Sequence, residues 1–200
     1  MAVKGTRRTQ AERSSTTRAA LIASARALFA AKGYAAAPRE EIVEAAGVTR
    51  GALYHHFPGK EDLFRAVYEE LEDEVLTRIA LAGGQETGPL GMLRRGVAAY
   101  LDAALDPAVQ RIVLLDAPAV LDWQVRHDIA EARALGLVRE TLAAAMATGD
   151  LAKQPVEPLA HLLLASIHEA ALYVARAPDP DAARAEVGAT MEHLLDGLRR

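Results

Sequence analysis

The chain has no cysteine among its 200 residues, which excludes disulfide staples and thiolate zinc sites and suits a reducing compartment. Its N-terminus is basic and polar with no apolar signal core behind it, so the protein is expected in the cytoplasm. Long apolar runs are scarce. The longest, Leu159 to Ala175, is broken by His161, Ser166, His168 and Glu169, whereas a membrane span needs about 20 mostly apolar residues. A buried helix is expected there, and no membrane partner. The glycine-rich stretch at 83–89 lacks a P-loop lysine and a preceding strand, which argues against phosphate binding. There is no His-Glu-x-x-His pair, no pair of Glu-x-x-His motifs and no serine elbow. No catalytic residues, metal or cofactor are therefore expected, and the chain does not read as an enzyme.

What is present is apolar mass and uneven charge. About half the residues, 51%, are hydrophobic, enough for one or two domains with a true core. Residues 1–60 carry ten Lys and Arg against four acids, so the rest of a chain of net charge -4 is strongly acidic. A basic head on an acidic body points to nucleic acid at one end.

Nearly every segment follows a helical period and none alternates like a strand. The expected fold is all-α, with about nine helices. After a basic, flexible arm at 1–17 containing Lys4, Arg7, Arg8 and Arg13, a first helix carries Leu21, Ile22, Ala25, Leu28 and Phe29 and ends at Gly33. Pro38 opens a short second helix, Gly47 closes it, and Thr49 caps a third that Pro58 and Gly59 terminate. Two short helices about a glycine turn make a helix-turn-helix, placed at 18–62. A fourth helix carries Leu63, Val67, Leu71, Val75 and Ile79 into the body, 63–200. Further helices are expected near 90–105, 108–117, 122–147, 156–176 and 181–198, bounded by proline and glycine.

The third helix has the division of labour that DNA reading requires: an apolar side, small residues for close approach, and donors outward. Val48, Leu53 and Phe57 are expected inward; Arg50, Gly51, Ala52, Tyr54 and His55 form the outward set. Arg50 can present a fork to guanine, Ala52 can meet a thymine methyl, and Thr49 with the helix N-terminus can hold a phosphate. Tyr54 and Lys60 add backbone contacts. His55 and His56 point about 100° apart on a helix, so they do not share a metal ion.

The stretch from Arg18 to Val67 resembles the DNA-binding domain of the TetR/AcrR family of transcriptional regulators. The matching positions are Phe29, Gly33, Tyr34, Ile42, Ala45, Ala46, Gly47, Val48, Thr49, Gly51, Leu53, Tyr54, His56, Phe57, Lys60 and Leu63. One departure is Ala37-Pro38, where the family opens its second helix with Thr or Ser. The phosphate contact of that hydroxyl is lost, and Arg39 is the substitute.

The resemblance implies a ligand-binding and dimerisation body, hence a homodimeric repressor released from a palindromic operator in double-stranded DNA by a small-molecule effector. The implied homodimer interface falls on Leu159, Leu162, Leu163, Ile167 and Ala170 of one helix and Val187, Met191, Leu194, Leu195 and Leu198 of the last. The ligand-binding candidates are the polar and aromatic residues among apolar ones: Tyr100, Trp123, His127 and His168. The competing reading is a dimeric all-helical ligand-binding module without a DNA role.

Overall fold

The computed structural model describes residues 10–130 and 134–199; among them the chain is helical, with no strand. It divides into two compact units, one up to Val67 and one from Tyr68 onward. The break falls inside a helix, a few residues beyond the sequence-based boundary at 62.

The first unit contains α1 (Gln10–Ala36), α2 (Arg39–Ala45), α3 (Arg50–His56) and the start of α4 (Lys60–Gly83). Helix α1 begins at Gln10, so residues 10–17, expected in the arm, are helical. Gln, Ala, Glu and Arg at 10–13 are good helix formers, and the Thr16 hydroxyl donates back to the Glu12 carbonyl at 2.7 Å. Lys4, Arg7 and Arg8 lie outside the described residues, and Arg13 belongs to α1. The core is Leu21, Ile22, Ala25 and Phe29 of α1, Ile42 of α2, Leu53 of α3, Phe57, and Leu63, Phe64 and Val67 of α4, all buried. Phe29, Tyr34 and Phe64 pack ring against ring, with centroids 5.1–5.7 Å apart.

Two glycines shape this unit. Gly33 (φ 79°, ψ 164°) kinks the chain at the end of α1, and Gly47 (φ 64°) turns it between α2 and α3. The Thr49 side chain accepts from the Ala52 amide at 3.2 Å, the N-cap that the sequence implied.

The second unit contains the rest of α4, α5 (Pro89–Ala103), a π-helical segment (Val109–Asp116), α6 (Ala117–Val120), α7 (Trp123–Ala130), α8 (Gly136–Thr148), α9 (Val156–Arg176) and α10 (Pro180–Asp196). Within the helix expected at 122–147 the described residues form α7 and α8, with 131–133 outside the described residues, and the segment expected at 108–117 is largely π-helical. Helix α5 packs on α8, α9 and α10. Arg94 of α5 pairs with Glu192 and, at 2.5 Å, Asp196 of α10, while Arg184 of α10 reaches Asp102 of α5 at 2.6 Å.

Helix α9 is long and apolar enough to cross a membrane by length and composition. Its Ala160, Leu163, Ile167, Ala170, Ala171 and Val174 are buried within the protein, but Leu162 and Tyr173 are exposed. One face of it is thus buried, as expected of this run, and the other is exposed.

Because Cβ meets nothing within 4 Å at Gly47, alanine there costs only backbone strain, about 1–2 kcal/mol. The Gly33 conformation is essentially restricted to glycine, so Gly33→Ala is expected to cost more, about 2–3 kcal/mol. Urea unfolding of the two variants checks the order; wild-type stability in both would contradict it.

Candidate nucleic-acid interface and ligand cavity

A seven-residue helix cannot stand alone in water, so α3 is held by its inner face. Leu53 and Phe57 are buried and Val48 is half-buried, while Arg50, Gly51, Tyr54 and His55 are exposed and Ala52 is half-exposed. The outward set expected from the sequence therefore shares one surface of α3. Tyr54 is its centre. The Arg39 guanidinium lies 5.6 Å from the ring centroid, that of Arg50 5.8 Å, and Arg50 Nη2 donates to the Tyr54 hydroxyl at 3.5 Å. That hydrogen bond is the main cause of a phenol pKa below the usual range. Arg39 thus joins the cluster from α2. Arg50 also lies 3.5 Å from Glu40, with both side chains well exposed; solvent and salt screen such a pair, so it yields readily to a stronger anion.

Lys60, the expected phosphate contact at the start of α4, also has partners within the chain. Its Nζ donates to the Tyr34 carbonyl at 2.5 Å and stands 4.4 Å from the Tyr34 ring centroid. Partial burial, then the charge of Arg39, lowers its pKa. An ammonium has three donors, so Lys60 ties the end of α1 to the start of α4 and keeps donors for a phosphate. His55 is exposed and His56 half-buried. Burial first, then His55 and Arg18, lowers the His56 pKa. Among the described residues no cluster of three metal-binding side chains occurs.

The second unit holds a cavity of about 510 Å³ lined by α4, α5, α7, α8 and α9. All four sequence candidates, Tyr100, Trp123, His127 and His168, line it. Trp123 is not a core residue: it is 64% exposed and stacks on His127 with ring centroids 4.6 Å apart and planes 10° from parallel. It therefore sits at the mouth. Tyr100 Oη and His168 Nδ1 are 3.4 Å apart. Burial, then the Glu72 charge, pushes the Tyr100 hydroxyl well above the ordinary phenol range. Burial, the Glu72 charge and a hydrogen bond with Glu72 do the same to Tyr68. The sequence-derived set lacked Tyr68, Glu72 and Arg126. A signal existed: Tyr68 and Glu72 are four residues apart on α4, in step with Val75, Leu76 and Ile79 of the same wall.

The expected dimer faces divide. Leu163, Ile167, Ala170, Met191 and Leu195 are buried in the chain's own core; Leu159, Val187 and Leu198 are half-exposed, and Leu162 and Leu194 are 68% and 54% exposed. Apolar periodicity marks the face a helix turns to its own core first, which is why five of the ten positions fall there.

His168 supplies a pH test. Burial, then the Arg126 charge, lowers its pKa, with Glu169 opposing. An unfolded histidine titrates near 6.5, so the neutral ring's contribution is complete above that pH and is lost as pH falls through the depressed folded value. The urea midpoint should drop more between pH 7 and pH 5 in the wild type than in His168→Asn. Equal drops would contradict this.

The profile described as "Bacterial regulatory proteins, tetR family" matches residues 21–67, and that of a "Tetracyclin repressor-like, C-terminal domain" matches 91–198. A crystal structure of a TetR-family transcriptional regulator from Pectobacterium atrosepticum superposes with a TM-score of 0.82 at 34% identity, covering 96% of this chain and 98% of that one. The fatty acid degradation regulator FadR of Bacillus halodurans shares the fold at 22% identity, with a TM-score of 0.72 and coverage of 90% and 99%. The HTH-type transcriptional regulator CymR of Pseudomonas putida is 46% identical over 72 residues, 36% of each chain. TtgR of Pseudomonas putida is 37% identical over 109 residues, 53% of this chain and 51% of that one. The chain thus spans about half the length, or less, of these two curated relatives.

Proposed function

The chain belongs to the tetR family of bacterial regulatory proteins, and from that premise we propose that it is a cytoplasmic, homodimeric repressor that a small molecule releases from a palindromic DNA operator. The observation that carries this reading is the outer surface of α3, where Arg50, Gly51, Tyr54 and His55 are exposed while Leu53 and Phe57 are buried. Arg50 reads a guanine edge; Tyr54, flanked by Arg39 and Arg50, donates to a phosphate; and Thr49 and Lys60 hold the backbone on either side. The role is recognition and release, with no reaction catalysed.

Two copies meet, in this reading, through Leu162 and Tyr173 of α9 and Leu194 of α10, large apolar side chains that a single chain leaves in water. A twofold dimer matches an inverted repeat. The effector enters the cavity of the second unit. Helix α4 contributes Leu63 and Phe64 to the first unit's core and Val75 to the cavity wall. An effector that favours one position of this helix then changes the population able to bind DNA, by no more than its differential affinity for the two states.

Fluorescence anisotropy with labelled duplexes at a series of salt concentrations tests the head. Arg50→Ala is expected to lose preference among sequences, with a cost of about 1–3 kcal/mol on the preferred one. Lys60→Ala should weaken all sequences alike and reduce the salt slope by roughly one. Unchanged binding in both variants would favour a ligand-binding module without a DNA role.

A further inference from the structure

The cavity wall is chemically uneven. Its apolar part comes from residues such as Val75, Ile79, Leu93, Val97 and Ile167. Its polar part gathers around Arg126. The charge of Arg126 is felt by both Tyr68 and His168, and that of Glu72 by both Tyr68 and Tyr100, so these side chains share one region of the cavity.

Among the described residues that line the cavity, the formally charged Glu72 and Arg126 stand differently. Glu72 is engaged by a hydrogen bond with Tyr68. Arg126 donates its Nε to the Leu121 carbonyl at 3.3 Å, and among the described residues no carboxylate lies within ion-pair distance of it. The Nη groups of this guanidinium are a fork suited to two acceptor oxygens. A part-buried cation that pairs with no carboxylate among the described residues, at the edge of a largely apolar space, is met best by an anion that brings its own apolar body. The aromatic mouth, Trp123 stacked on His127, offers a flat surface to a flat molecule.

We propose that the cavity binds a flat, apolar monocarboxylate, with the ring system among the aliphatic walls and the carboxylate on Arg126. This rests on the reading of the second unit as the sensor, and it adds the chemistry of what is sensed. Tyr100 and His168 are the neutral partners of the carboxylate. Arg126 selects the acid over a neutral or cationic molecule of the same shape.

The test uses the full chain without DNA and three probes of one shape: 2-naphthoate, 2-naphthylmethanol and 2-naphthylmethylammonium. Affinity is measured by calorimetry. Trp123, the only tryptophan in the chain, reports the place of binding through quenching, with free tryptophan titrated in parallel. Naphthoate is expected to bind at least tenfold more tightly than either analogue and to quench Trp123. Arg126→Met should abolish that preference while leaving the alcohol within twofold, and Arg126→Lys, which keeps the charge, should retain part of it. Unfolding curves of both variants report whether they fold. Equal or tighter binding of the alcohol or the amine, absence of naphthoate binding to the wild type, or an undiminished preference in folded Arg126→Met would overturn the proposal. Naphthoate that binds on these terms yet leaves DNA affinity unchanged would count against the sensor reading and leave the site assignment intact.

Discussion

Burial of the inner face of α3 is the constraint on which the nucleic-acid surface depends. Seven residues give too few backbone hydrogen bonds to offset helix nucleation, so the helix persists because Leu53 and Phe57 are removed from water and Thr49 caps its start. Leu53 and Phe57 fix the rotation of α3 about its axis, and that rotation presents Arg50, Tyr54 and His55 together. The aromatic packing of Phe29, Tyr34 and Phe64, with Lys60 on Tyr34, fixes the surrounding frame. Core packing and recognition are in this sense two faces of the same short helix.

The second unit solves a different problem. Its helices are tied by buried aliphatic contacts and by the Arg94 and Arg184 ion pairs between α5 and α10, yet they leave a cavity between α4, α5, α7, α8 and α9. An unfilled apolar space forgoes dispersion contacts, so a molecule that fits it stabilises whichever conformation keeps it. The polar groups on its wall, Arg126 above all, set which molecule that is.

Much of the head was legible in the sequence because its signals are local. Glycines at 33 and 47, proline at 38 and the cap at 49 specify turns and helix ends within a few residues. The cavity candidates were legible for a related reason: Tyr100, Trp123, His127 and His168 stand out against apolar neighbours on their own helices. Relations between distant segments were less accessible. Lys60 in sequence is a free cation; only packing brings it to Tyr34, 26 residues earlier. Of the ten apolar positions expected at an interface, nine on α9 and α10 and Leu198 just beyond, half fill the chain's own core, because periodicity does not tell which partner a face meets. Arg126 carried no local mark, since what distinguishes it is the nearness of Tyr68 and His168, which lie on other helices.

In the proposed function two copies of α3 read DNA as a twofold pair. Selection of bound sequences from a random duplex pool, with purified protein at a stated salt concentration, tests it most directly. The account predicts enrichment of an inverted repeat whose half-sites lie one helical turn, or a multiple of it, apart. Enrichment of no sequence, at low as well as moderate salt, would contradict it.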